Sequence, residues 1–242
     1  MVRSDRMIHV HADAEAVARA SAEHVTRCAH AAIAARGVFR IALSGGTTPE
    51  RLYRLLATPP WRERIHWPAI TVLLADERAV QAGDPQRNLR LVREALLDPL
   101  GASAPEVRPM RGEAEDLDAA AYEYEAELDP PLDLLVMGIG PDGHTASVFP
   151  DHAAAREMQR RCVAVFDSPK PPPRRLTLTP RALLEAREAI VLVTGREKAA
   201  AVAAAHDPAT SPEHCPASLL RDRDWLIDRE AAADLPARVW AG

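Results

Sequence analysis

Residues 132–150 read LDLLVMGIGPDGHTASVFP. The first part, Leu132, Leu134, Leu135, Val136, Met137 and Ile139, is an apolar run of strand length. A run of this kind fits a strand buried on both faces, as in a parallel sheet. It breaks off in Gly138-Ile139-Gly140-Pro141-Asp142-Gly143-His144, where three glycines and a proline end regular structure within a few positions. Open α/β sheets bind ligands beyond the carboxyl ends of their strands. The loop is therefore a candidate site, with His144 and Asp142 as its chemical groups. The competing reading is an ordinary strand-to-helix turn in which His144 is incidental.

The same pattern recurs on either side. Val38–Leu43 (VFRIAL) is a short strand that runs into Ser44-Gly45-Gly46-Thr47-Thr48-Pro49. A helix is expected from Pro49, with Thr48 as its N-cap. A strand, a glycine turn and a helix N-terminus together make an anion site, or else simply a well-capped tight turn. Ile70–Ala75 is the next strand and ends in Asp76-Glu77-Arg78. There Arg78 is a candidate anion ligand and Asp76 a group that orients a polar partner, unless all three only face solvent. Asn88 reads as a cap for a helix over 89–97 rather than a ligand contact.

The remaining segments supply the scaffold. An alanine-rich helix is expected over 11–36, and its Val17, Ser21, Val25, Cys28 and Ala32 form one buried stripe. Gly37 stops it. An acidic helix over 113–128 faces solvent. Cys162–Phe166 and Leu176–Thr179 read as strands of the same sheet, joined by a stiff basic loop that holds Arg174 and Arg175 near the site. Pro180 starts another helix, Ala189–Thr194 is a strand, 196–205 is helical, and Trp225–Ile227 is a last strand before a helical tail. Alternation of strand and helix implies an α/β fold. The expectation is a single domain over residues 1–242, with a mostly parallel open sheet, Rossmann-like, and helices on both faces.

Bulk properties narrow the function. The 242 residues are 47% hydrophobic, enough for a substantial core, and carry a net charge of -5. That balance argues against a nucleic-acid partner, which needs a basic footprint. Cys28, Cys162 and Cys215 are odd in number and lack CxxC spacing, so neither a disulfide framework nor a zinc ribbon is indicated. His144 has no partner histidine at helical spacing, and His9 and His11 read as surface residues; no metal is expected. No signal-peptide core or membrane-length apolar run is visible, so the expected location is the cytoplasm, without membrane partners.

Four segments, SGGTTPE (44–50), ADERAV (75–80), GIGPDGHTASVFP (138–150) and PRRLTLT (173–179), together resemble the 6-phosphogluconolactonase family. That family lies within a wider group containing glucosamine-6-phosphate deaminase, whose fold the resemblance implies. Deaminases of the group resemble GxDGHIAFNEP at the third segment, with a catalytic glutamate before the proline; Phe149 stands in that place here. The resemblance therefore implies hydrolysis of 6-phospho-D-glucono-1,5-lactone in the oxidative pentose phosphate pathway, without a cofactor. A deaminase-like isomerase and a non-catalytic sugar-phosphate-binding module are the alternatives.

Such a hydrolase needs three things. A phosphate handle is offered by Ser44, Gly45, Gly46, Thr47 and Thr48, with Asp76, Arg78 and Arg174 alongside. A general base is offered by His144, with Asp142 holding its tautomer. Oxyanion stabilisation is offered by the N–H groups of the loop through Gly143, or by an arginine. Ser147 has no GxSxG elbow around it, so a serine nucleophile is not expected. Which arginine meets phosphate is left open, as is the choice between monomer and dimer.

Overall fold

A computed structural model describes residues 8–236. Strand β1 (Ile8–His11) opens the chain and leads into helix α1 (Ala14–Arg36). Asp13 caps α1 by accepting from the Ala16 N–H, and Gly37, at φ 76°, closes it. There follow β2 (Phe39–Leu43), α2 (Thr47–Leu56), α3 (Trp61–Arg64), β3 (Ile70–Leu74), β4 (Asp76–Arg78) and α4 (Asn88–Val92). The last of these widens into a π-type turn over Arg93–Leu97 and ends as α5 (Asp98–Leu100). Then come β5 (Glu106–Val107), α6 (Leu117–Ala126), β6 (Leu134–Met137), β7 (Cys162–Val165) and β8 (Arg175–Leu178). Helix α7 (Pro180–Glu185), β9 (Glu188–Val193), α8 (Ala199–His206) and β10 (Asp224–Asp228) complete the order.

Seven strands form a parallel sheet in the order β1-β10-β9-β6-β2-β3-β5. From β2 the chain moves one way, to β3 and β5; from β6 it moves the other, to β9 and β10. Right-handed crossovers then place α1 to α5 on one face and α6 to α8 on the other. The observed packing agrees: α1 and α2 touch each other and α3, while α7 and α8 share the turn at 216–220. The order in which strands are added reverses between β2 and β6, so the crevice at their carboxyl ends is where the fold receives a ligand.

Several expected elements are corrected. β7 and β8 do not join the main sheet; with β4 they form a separate antiparallel sheet in the order β4-β8-β7. Asp76-Glu77-Arg78 is thus a strand, paired with Thr177, Leu176 and Arg175. Its polar sequence hid this, because two of its three side chains find buried partners rather than solvent. His9 and His11, read as surface residues, lie in β1 and are half-buried, and α1 starts three residues later than its composition suggests. Helix α2 starts at Thr47 with Gly46 as N-cap, so Thr48 is not the cap. Proline needs only a first-turn position with no N–H to satisfy, and Pro49 occupies the third rather than the first. The acidic helix is shorter than expected because Asp116 caps it at Ala119. After β10, residues 229–236 form turns, and the rest of the expected helical tail lies outside the described residues.

Glu77 shows how the small sheet is locked to the start of α4. It is fully buried, and its carboxylate accepts the backbone N–H groups of Arg78 (2.7 Å), Asn88 (2.7 Å) and Leu89 (2.9 Å). The Arg87 guanidinium stands 3.5 Å away. Burial pushes the Glu77 pKa up, against the backbone donors and Arg87, which pull it down. Glu77→Ala strands these donors and a buried guanidinium, so it is expected to cost about 3 kcal/mol, read as a lower urea midpoint at unchanged slope. Glu77→Gln is expected to recover part of that loss.

Candidate active site

The carboxyl ends of β2, β3, β6 and β9 open into one cavity of about 200 Å³. Ser44 leaves β2 with its N–H and hydroxyl both donating to the Val136 carbonyl of β6, which ties the two loops at the switch point together. Ser44, Gly45, Gly46, Thr47 and Thr48 all line the cavity, where α2 begins. The first amides of a helix have no intrahelical acceptor, so they favour an anion there. Gly45 is required by close approach: a Cβ at that position would overlap the Asn88 carboxamide. Thr48 reaches across to β9, its hydroxyl 2.7 Å from that of Thr194.

The charged side chains of the lining are predominantly cationic, with Arg78, Arg175 and Lys198 against the carboxylate of Asp76. Asp76 is buried and already engaged: Oδ1 accepts from Asn88 (2.9 Å) and Oδ2 from the Ser147 hydroxyl (2.6 Å). Arg78 donates to the Gln86 carbonyl at 2.6 Å, while its buried Nε has no hydrogen-bond partner among the described residues. Burial lowers the Lys198 pKa, with the neighbouring Lys170 acting in the same direction.

Arg174 does not reach the cavity. It is exposed and lies over the Phe166 ring, with its guanidinium carbon 5.6 Å from the centroid. Adjacent residues of a strand point to opposite faces, so the neighbour, Arg175, is the one turned inward. Arg175 donates to the carbonyls of Lys170, Pro171 and Pro172, each at 3.1 Å, and its guanidinium lies 5.6 Å over the Phe149 ring. The proline-rich segment therefore folds back on Arg175.

His144 is a cavity residue, and Asp142 stands behind it. The His144 Nδ1 lies 2.5 Å from Asp142 Oδ1, which leaves Nε2 as the nitrogen not engaged by Asp142. Lys170 completes the group from the proline segment, 2.9 Å from Asp142 Oδ2 and 3.3 Å from His144 Nδ1. Burial alone would raise the Asp142 pKa, but hydrogen bonds from His144 and Lys170 outweigh it and hold the carboxyl well below the usual carboxylate range. Below the ring lies Phe149, fully buried, with its centroid 4.7 Å from that of His144. Gly140 must lack a side chain because a Cβ would overlap both the His144 ring and the Asp142 carboxylate. Gly143 faces away from the cavity, its carbonyl accepting from the Ala217 N–H at 3.0 Å. Ser147 is buried and hydrogen-bonded to Asp76, not aimed into the cavity.

Arg175, expected near the site with Arg174, lines the cavity; Asn88, Thr194 and Lys198 also line it and Lys170 braces the dyad, and none of these four is read from sequence as a site residue. Asn88 is not the N-cap of α4, a position held by Arg87; its amide instead bonds the Asp76 side chain and carbonyl. Lys198 did carry a signal, since it follows a strand and Gly195 at the same sheet edge. Lys170 carried none beyond its place among prolines.

A family model described as glucosamine-6-phosphate isomerases/6-phosphogluconolactonase matches residues 12–227. The chain belongs to this family. Among relatives, the 6-phosphogluconolactonase of Mycobacterium tuberculosis is 39% identical over 95% of this chain and 98% of its own length. That of Streptomyces coelicolor is 37% identical over 96% of this chain and 95% of its own length. The solved 6-phosphogluconolactonase structure from Trypanosoma brucei is 28% identical, with a TM-score of 0.81, covering 97% of this chain and 100% of that one. The family's α/β fold is the one observed here.

Proposed function

We propose that this family member hydrolyses 6-phospho-D-glucono-1,5-lactone to 6-phosphogluconate, with His144 as general base. The observation that carries the reading is the junction of an anion cradle and a braced His–Asp dyad in one cavity. The phosphate sits at the N-terminus of α2 among Ser44–Thr48, with Lys198 and the arginines supplying charge. This fixes the ring so that its C1 carbonyl meets the dyad. His144 Nε2 removes a proton from water, and the resulting hydroxide attacks C1. The oxyanion is met by Arg78, whose Nε has donor capacity left. Collapse breaks the bond between C1 and the ring oxygen, and the imidazolium returns its proton to that oxygen.

Lys170 and Phe149 position the base. Lys170 holds one Asp142 oxygen, so that the other faces Nδ1 and Nε2 is left to accept a proton. Phe149 supports the ring from below and supplies no carboxylate, which counts against the proton transfers of an isomerase. No helix among the described residues is long and apolar enough to cross a membrane; action in the cytoplasm is part of the proposal.

The test compares the phosphorylated lactone with glucono-1,5-lactone, which lacks the handle. Charge-assisted hydrogen bonds contribute about 1.5–3 kcal/mol each, so losing two is expected to lower kcat/KM by about 10²–10⁴-fold. Equal kcat/KM on both lactones would contradict the anion cradle.

A further inference from the structure

At the amino ends of the strands, away from the cavity, α1 packs against β9 and β10 and brings His24 and Cys28 together with Glu188. His24 and Cys28 are one helical turn apart on α1 and both are buried. Glu188 is the first residue of β9 and half exposed, so the group opens to solvent on one side. Its Oε2 lies 3.2 Å from His24 Nε2 and 3.2 Å from Cys28 Sγ, and the three ligand atoms all fall within 4.8 Å of one another. Around a tetrahedral zinc ion, with bonds of about 2.0–2.3 Å, neighbouring donors stand roughly 3.3–3.7 Å apart. Small side-chain movements bring the trio to that spacing. The lactonase mechanism uses none of these residues, and β9, six residues long, separates them from Thr194 by about 20 Å.

We propose that His24, Cys28 and Glu188 form a binding site for a divalent transition-metal ion of the zinc class, with one coordination position left for water. The mixed nitrogen, sulfur and carboxylate donor set selects such an ion over magnesium or calcium. The surroundings supply an outer partner. His24 Nδ1 lies 4.0 Å from Asp224 Oδ2, and Asp224 is itself held by His9 at 3.0 Å. A histidine bound through Nε2 carries its proton on Nδ1, where a carboxylate is the usual acceptor. In the metal-free protein Nε2–H donates to Glu188, and Arg27 donates to Nδ1 at 3.0 Å. Metal binding moves that proton to Nδ1, and Arg27, an exposed side chain, turns away. The Cys28 thiol loses its proton to solvent and becomes the thiolate ligand. Thiolate and Glu188 neutralise the ion, while Asp224 balances Arg27.

The experiment titrates the metal-stripped full chain with zinc alone by calorimetry. One equivalent is expected to bind with Kd of about 10 µM or tighter, releasing one proton and tightening about tenfold per pH unit. At zinc near 100 times Kd the melting temperature is expected to rise by about 5–10 °C. Cobalt, substituted for zinc, is expected to show a thiolate charge-transfer band in the near ultraviolet. Glu188→Gln and Cys28→Ser are both expected to abolish binding, and Glu188→Gln, at a half-exposed position, to keep the fold and the lactonase activity. Absent or weaker zinc binding in the wild type overturns the proposal. So does zinc retained by folded Glu188→Gln, bound cobalt without the thiolate band, or zinc lost instead in His144→Ala.

Discussion

His144→Ala is expected to lower kcat for the phosphorylated lactone by about 10²–10⁴-fold, the span of a general base in water activation, with KM little changed. The ring's polar contacts are to Asp142 and Lys170, and it rests on Phe149, so its loss leaves the cradle at Ser44–Thr48 in place. The small change in KM distinguishes this variant from one that damages phosphate binding. A kcat within a few-fold of wild type would move the work of catalysis to the arginines and loop amides. Spontaneous lactone opening has to be subtracted before either outcome is read.

Asp142→Asn is expected to be nearly as damaging, about 10²–10⁴-fold in kcat, because Lys170 dictates which way the amide turns. The ammonium beside Oδ2 demands an acceptor, so the amide oxygen goes to Lys170 and the NH₂ faces His144 Nδ1. Nδ1 must then accept, the proton moves to Nε2, and the nitrogen facing the substrate can no longer take a proton. Asp142→Glu, which keeps the charge, is expected to retain more activity than Asp142→Asn. The same pair shows in stability. The Asp142 pKa is held below its unfolded value by the bonds from His144 and Lys170, which outweigh the opposing effect of burial. Its contribution is therefore fully present above the unfolded carboxylate pKa of about 3.9 and is lost as pH falls through the folded value. Wild type is expected to lose more stability than Asp142→Asn on acidification below about pH 4; parallel acid-unfolding curves would contradict the pairing.

The central strands of the main sheet were legible because they are buried on both faces and therefore read as near-continuous apolar runs, as in Leu134–Met137 and Val72–Ala75. The loops that follow them were legible as a candidate site because glycine cannot be exchanged where backbone meets another group, as at Gly45 and Gly140. The small sheet was not, since Asp76-Glu77-Arg78 satisfies its charges with partners distant in sequence, which no local pattern reports. Choosing Arg174 over Arg175 needed the phase of β8, and a strand begun at Leu176 gives no side for the residues before it. Lys170 reaches Asp142 only because the proline segment folds over Arg175, a tertiary contact with no sequence signature. His9 and His11 alternate with Ile8 and Val10 in a four-residue strand at the sheet edge, too short to announce itself.

The central claim is that this cavity opens a phosphorylated sugar lactone. Its most direct test adds the wild-type chain to freshly generated 6-phospho-D-glucono-1,5-lactone near neutral pH and follows acid release. The account predicts an initial rate that exceeds spontaneous opening in proportion to protein concentration, saturates with lactone and yields 6-phosphogluconate. A folded protein that leaves the spontaneous rate unchanged would contradict it.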